Sequence, residues 1–479
     1  MPAPAPFPRI PELAGLASYA QAARIGLGVD ENVRCLLRYH WVERRLMTIA
    51  IAHLPGTPEW EVKCALALHQ WQGAEHVDGL RRRINELRAA IPPLDAAPDA
   101  PLDAFLSEVL HSGDTVEMLT GVYRVTLPAL ADAYRRHVAA TNPLADHPTL
   151  RLLRLALVDA DDAVVWGARA VSAVLAGDPA ARRRAEEWES HLRAYLTVAR
   201  GVAGDGVIPA ALPSRYDVAE ESEQPAVRSL PPRRASAGHV PDMTPRRDRR
   251  FTGTYDFDFP PHTVYAATEA PADERNLALL AKRALEMDVP EMMASVMVER
   301  ADMPWEFQLD WSRQLWDEAR HAMMGTVALA ARGIDWTRLP LNVGFSLRLN
   351  LHATPAERQA MLFAIEQSLM PGDTGKRAEY ETAAASGDAL SAHFHDYDWA
   401  DEVLHARIGR RWIQHDGLSI PQAMDKAREV HQRTWAALER YRDSALPGDW
   451  WDDFVQRALG RPSALTPEQR NAPPQIIAE

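Results

Sequence analysis

Asp317-Glu318-Ala319-Arg320-His321 and Asp401-Glu402-Val403-Leu404-His405 repeat one short pattern. Each places a Glu and a His three residues apart, on one face of a helix. One such pair is common on solvated helices and means little. Two pairs, both preceded by Asp, point to two helices whose polar faces are turned toward a shared centre. Few folds other than a helical bundle meet that demand.

A Glu-x-x-His on each of two helices, with a lone Glu on each of two others, is the ligand set of a carboxylate-bridged di-iron or di-manganese bundle. Two metal ions a few ångströms apart repel. Four carboxylates neutralise and bridge them, and one imidazole per metal completes the set while leaving positions open for oxygen. In an antiparallel hairpin, facing residues lie equally far from the turn. The midpoint of Glu286 and Glu318 is 302, inside the turn candidate Asp302-Met303-Pro304. The midpoint of Glu366 and Glu402 is 384, just before the Gly387-Asp388 break. That fit is looser because Pro371-Gly372-Asp373 interrupts the helix of Glu366. Glu291 rivals Glu286, and Glu299 fits less well. The midpoint favours Glu286, but the sequence leaves Glu286 against Glu291 open. The expected metal ligands are therefore Glu286, Glu318, His321, Glu366, Glu402 and His405. Ligating histidines usually donate their other ring nitrogen to a carboxylate. Asp317 is expected to hold His405, and Asp401 to hold His321. His393, His395, Asp396 and Asp398, one or two turns before Glu402, offer an extra ligand or a substrate contact. Otherwise they are polar residues lining the helix.

The chain of 479 residues is longer than one core usually organises, which predicts two domains. Apolar residues recur at three- and four-residue spacing from 12 to 200, as in LLRYHWVERRLMTIAIAHL, and alternating strand patterns are scarce. Residues 201–270 are rich in Pro, Arg, Ser and acids and read as an extended linker. The cluster Arg246-Arg247-Asp248-Arg249-Arg250 within it reads as solvated, or as a strap across an acidic domain. Helical character resumes over 271–445, with helices expected at about 274–301, 304–332, 355–370 and 389–415. Pro290 should kink the first of these. Residues 446–479 read as a tail, loose or draped over a neighbour. A net charge of −13 argues against a nucleic acid partner. No apolar run is long enough for a membrane span, and the N-terminus does not read as a signal peptide. Cys35 and Cys64, too few for a disulfide framework, fit a reduced cytoplasm.

The N-terminal half echoes the plan. Glu43 and Glu75 are 32 residues apart, as are Glu286 and Glu318. Matching Gly167 to Gly409 puts Ala160 in place of Glu402 and Ala163 in place of His405. This reads as a duplicated bundle that lost its metal site, with Glu43, Glu75 and His76 as a buried polar cluster. An unrelated helical domain is the alternative.

On DEARHAMMG and DEVLHARIGRRW, and more loosely on ALEMDVPEMMASVMVERADMPWEF, the chain resembles the ferritin-like superfamily of di-iron proteins. Within it the chain is most similar to a bacterial ferritin-like domain family of uncharacterised function. The likeness covers roughly 275–415. It implies a four-helix bundle there, and with the echo in the N-terminal half the expected architecture is all-α: two ferritin-like bundles, the N-terminal one degenerate and metal-free, joined by the Pro/Arg-rich linker. It also implies oxygen-dependent chemistry: a di-iron oxidoreductase, with two iron ions (or manganese) as cofactor and O2 as co-substrate. The reaction would be hydroxylation, N-oxygenation or desaturation of a small organic molecule. An electron-donating reductase and a homo-oligomer stay open as further partners. The rival functions are a di-manganese or di-iron peroxidase or catalase, iron storage, and a partner protein stapled by metal without catalysis.

Overall fold

Helices begin where the sequence supplies caps. Thr354 accepts from the N–H of Glu357, whose carboxylate returns the bond, and Asp388 accepts from the N–H groups of Leu390 and Ser391. The computed structural model describes residues 9–88, 93–207, 240–255, 259–441 and 450–470. Among these the chain is all-helical, with no strand beyond one isolated bridge between Thr252 and Pro340. None of their helices is long and apolar enough to cross a membrane.

The described residues divide into two compact units. One comprises those up to 49 with 72–240, the other 50–71 with those from 241 onward. Residues 50–71 thus group with the C-terminal half, whereas the sequence was read as one block over 12–200.

The main helices of the first part of the chain are α1 (Val29–His53), α2 (Trp60–Glu86), α3 (Ala100–Leu110), α4 (Leu127–Ala140), α5 (His147–Val174) and α6 (Pro179–Val198). In the first unit α4 packs on α5 and α3 on α6, around buried Phe105, Tyr134, Leu153, Trp188 and Leu192.

The second unit is built on α7 (Ala272–Leu285), α8 (Asp288–Glu299), α9 (Trp305–Ala331), α10 (Gly344–His352), α11 (Pro355–Ser368), α12 (Lys376–Ala385), α13 (Ala389–His415) and α14 (Ile420–Trp435). Helix α9 packs on α7, α8 and α13, and α13 also on α11 and α12. The helix expected at 274–301 is two helices, broken at Glu286 and Met287. Pro290 is the cause. It has no N–H to offer the carbonyl four residues back, and its ring crowds that carbonyl, which belongs to Glu286. The break leaves Glu286 capping α7.

Two segments differ from the sequence reading. Of the expected linker over 201–270, residues 208–239 lie outside the described ones. Residues 240–255 are a strap inside the second unit. The N–H of Arg246 donates to the carbonyl of Pro55 at 3.1 Å, Arg247 pairs with Glu291, and Arg250 pairs with Glu61 at 2.7 Å. Its arginines have acidic partners on the hairpin tip and on α8, which is what a basic strap needs. Of the tail expected over 446–479, residues 450–470 include a helix, Trp450–Leu459. Its Trp451, Phe454 and Val455 are buried at three- and four-residue spacing. Buried Glu274 on α7 accepts from Ser463 at 2.5 Å and from the N–H of Ala464 at 2.9 Å.

Candidate metal centre

Two glycines allow the ligand helices to approach. A Cβ on Gly325 would lie 2.4 Å from the backbone nitrogen of Ala284 on α7, and one on Gly409 would lie 2.9 Å from the ring of Phe363 on α11. Each glycine stands seven residues after the Glu of its Glu-x-x-His, two turns along the same face. So α9 closes on α7, and α13 on α11, beside the polar residues they carry.

Glu318, Glu366, Glu402 and His405 are buried and present ligand-type atoms within 4.8 Å of one another. Nδ1 of His405 is 3.1 Å from Oε1 of Glu318 and 3.6 Å from Oε2 of Glu402. On the other side of the two glutamates, Nδ1 of His321 is 3.7 Å from Oε2 of Glu318 and 3.9 Å from Oε1 of Glu402. Glu286 joins Glu318 and His321 in a second group of the same span. Glu318 and Glu402 therefore turn one oxygen to each side, as bridging carboxylates do. Glu366 and His405 flank one side, Glu286 and His321 the other. All six expected ligands are brought together.

Glu291 is not among them. It lies buried against Arg247 and against Lys63, whose ammonium is 2.6 Å away. Glu299 pairs with Arg358 at 2.8 Å. The outer aspartates cross between the helices. Oδ2 of Asp317 is 3.4 Å from Nε2 of His405, and Oδ2 of Asp401 is 3.2 Å from Nε2 of His321. Arg320 donates to both aspartates, at 2.8 Å to Asp401. Burial opposes the Asp317 charge, but donors from His405, Arg313 and Arg320 hold its carboxyl well below the usual range.

Whether this set suits a metal can be judged from its unmet bonds. Oε1 of Glu318, Nδ1 of His321, Oε2 of Glu366, Oε2 of Glu402 and Nδ1 of His405 are buried without an aligned hydrogen bond, although Nδ1 of His405 faces Oε1 of Glu318 at 3.1 Å and Nδ1 of His321 lies 3.2 Å from Asp398. Buried polar atoms are normally paired, and each exception needs a reason. Five exceptions meeting at one place, all from metal-ligating residue types, fit a bound cation. Without one, protons take up the charge. Burial opposes charge on His321, yet Asp398 and its other acidic neighbours push it up to about 10. Burial opposes it on His405 too, and Asp317, Glu318 and Glu402 push that imidazole well above its ordinary value. Burial and the repulsion of Glu402 and Glu318 push Glu366 well above the carboxylate range.

Several site residues had no signal in the sequence. Lys376, the first residue of α12, is buried with its ammonium 2.7 Å from Oε1 of Glu402 and 3.0 Å from Oδ1 of Asp398. Arg283 donates to both oxygens of Glu286 at 2.6 Å and to Glu379 at 2.5 Å. Of the four polar residues before Glu402, His395 and Asp398 are buried in this cluster, whereas His393 and Asp396 are exposed. Asp398 lies 3.2 Å from Nδ1 of His321. A cation amid acids has no ligand spacing to betray it. The sequence reading placed no helix at Lys376.

In the first unit, Nδ1 of His76 is 3.0 Å from Glu43 and its Nε2 is 3.1 Å from Asp159. The hydroxyl of Tyr134 donates to Glu43 at 2.8 Å. Burial disfavours charge on His76, but Glu43 and Asp159 raise it to about 10, making an ion triad. Glu75 is exposed and stands outside this cluster, a correction to the expected trio: one residue along a helix turns a side chain by about 100°. Ala160 and Ala163 are buried. Set against family models, curated proteins and solved structures, the chain matches none of them.

Proposed function

We propose that the C-terminal half is a ferritin-like bundle holding a carboxylate-bridged pair of iron ions, and that it uses O2 to oxidise a small organic substrate. The N-terminal half is read as a degenerate copy. One observation carries the proposal: five buried ligand-type atoms without an aligned hydrogen bond converge around two glutamates that each turn one oxygen to either side.

Bound ferrous iron supplies the electrons that reduce dioxygen. The chain's own groups do the rest. Glu318 and Glu402 would be shared by two cations, and Glu286 and Glu366 would complete the neutralisation. Asp317 and Asp401 accept from Nε2 of the two histidines, which leaves Nδ1 as the lone-pair donor. Burial of Glu318, His321, Glu366, Glu402 and His405 keeps water from them and strengthens the charge interactions among them, while Glu286 stays partly exposed. A small cavity lined by Leu280, Met324 and Phe394 reaches Arg283 and His395 beside the Glu286 side, with room for about one water-sized molecule.

The test is oxygen uptake by the anaerobically reduced, iron-loaded full chain. Uptake with iron retained is expected, and Glu318→Ala and His405→Ala should lose both iron and uptake. A fully loaded, reduced protein that consumes no O2, alone or with candidate substrates, refutes the oxygenase reading. A peroxidase or a structural metal would then take its place.

A further inference from the structure

The two sides of the centre are related by a repeat, and the repeat is broken in one respect. Asp317, Glu318, His321 and Gly325 each have a counterpart 84 residues on, in Asp401, Glu402, His405 and Gly409. The facing helices match as well. Arg283 lies against Gly325 three residues before Glu286, and Phe363 lies against Gly409 three residues before Glu366. Equivalent positions thus carry a guanidinium on one side and a phenyl ring on the other.

The asymmetry deepens at the bridging glutamates. On the Glu366–His405 side, Oε1 of Glu366 accepts from the amide of Gln314 at 3.1 Å, and the remaining ligand atoms make no aligned hydrogen bond and face no lysine or arginine among the ion pairs of the described residues. On the Glu286–His321 side the protein supplies its own cations. Arg283 covers both oxygens of Glu286. The Lys376 ammonium, buried and 2.7 Å from Oε1 of Glu402, also bonds both oxygens of Asp398, at 3.0 and 3.2 Å. The oxygens of Glu286 and Oε1 of Glu402 are among the atoms from which a second metal would have to be held.

We propose that the centre loads unequally. The position formed by Glu318, Glu366, Glu402 and His405 takes a divalent transition metal directly. The position formed by Glu286, His321 and the second oxygens of Glu318 and Glu402 takes one only when the Lys376 ammonium leaves it. This rests on the dinuclear reading above and adds to it an order of assembly and a residue that governs it. A unit positive charge about 4 Å from a divalent ion is strongly repulsive even at an effective dielectric near 20. Relaxation of the side chain offsets part of this, leaving a handicap of at least about 100-fold in affinity for the second ion.

The probe is Mn2+ added stepwise to the metal-free full chain, followed by calorimetry and by electron paramagnetic resonance. In the wild type one ion per chain binds tightly and shows the hyperfine-split signal of isolated Mn2+. The second binds at least about 100-fold more weakly. In Lys376→Met the gap closes and a spin-coupled signal appears before one equivalent has been added. Lys376→Gln, which keeps a donor for Asp398, is the second variant and should behave likewise. Two equal steps in the wild type overturn the proposal, as does an unchanged gap in both variants. Glu366→Gln, by contrast, tests the underlying metal reading, since it should remove the tight step. A wild type without a tight step, or a Glu366→Gln variant that binds as the wild type does, sinks the metal centre itself and the proposal with it.

Discussion

Loading this centre with metal must expel protons, and the structure gives their number. In the metal-free protein at neutral pH, His321, pushed up to about 10, carries a proton. So do His405 and Glu366, each held well above its ordinary value. Metal ions take the Nδ1 lone pairs and the Glu366 carboxylate, so about three protons leave on full loading. Had these groups kept ordinary values, the two imidazoles would share roughly half a proton at pH 7 and the carboxyl would hold almost none. The contrast is therefore about three against about one half. The sign follows from the raised values. The protonated state is the metal-free one, so acid competes with metal, and affinity rises with pH until about 10, where His321 gives up its proton unaided. Releasing three protons makes the overall loading constant fall about 1,000-fold per pH unit of acidification. In the metal-free fold the stability that His321 lends is fully present below about 6.5 and is lost as pH rises through about 10. Calorimetric titration with Mn2+ in buffers of different ionisation enthalpy counts the released protons directly. With unequal loading, those of Glu366 and His405 leave with the first ion and that of His321 with the second. Release of less than one proton on full loading, or an affinity flat between about pH 6 and 8, refutes this account of the charge balance.

Gly325→Ala should cost about 1–3 kcal/mol, because the new Cβ meets a backbone nitrogen that cannot step aside. Gly409→Ala should cost less, its nearest neighbour being the ring of Phe363. Thermal melting of the metal-free proteins compares them, and an equal or larger loss at Gly409 contradicts the close-approach argument. Asp317→Asn and Asp401→Asn keep the side-chain shape but weaken the hold on His405 and His321. Each should lower metal affinity about 10- to 100-fold, and unchanged affinity in both removes the aspartates from the supporting role.

Much of the centre was legible because its parts obey spacing rules that survive without tertiary information. Two Glu-x-x-His pairs declare a shared face, and Thr354 and Asp388 announce where α11 and α13 begin. Equal distance from a turn pointed to Glu286 over Glu291. What excludes Glu291 was invisible, since its partners Lys63 and Arg247 lie far away in sequence. Lys376 escaped for a related reason. It follows a Pro-Gly-Asp stretch that reads only as a helix break, and a buried ammonium becomes recognisable once its carboxylates are known. In the N-terminal half the 32-residue interval from Glu43 drew attention to Glu75, but the neighbouring residue, His76, is the one facing Glu43. For Arg246–Arg250 the sequence left a solvated linker and a strap across an acidic domain open, and for the tail a loose or a draped course, because polar composition resembles a linker until its acidic and apolar partners are in view.

Arg320 explains the one place where the doubled motif departs from itself. Its guanidinium bonds Asp317 and Asp401 together, so the second copy has no need of an arginine and carries the half-exposed Leu404 instead. Those two aspartates set the basicity of the two histidines. Arg313 adds a second guanidinium, 2.8 Å from Asp317 and 3.7 Å from Asp401, so Arg320 is the cation that bonds both aspartates closely and Arg313 favours Asp317. A change at Arg320 moves the electron-donating strength of His321 and His405 in the same direction. On the di-iron reading proposed above, the reduction potential would have a common control on the outer side of the ligands, while the larger inequality between the two halves lies on the inner side.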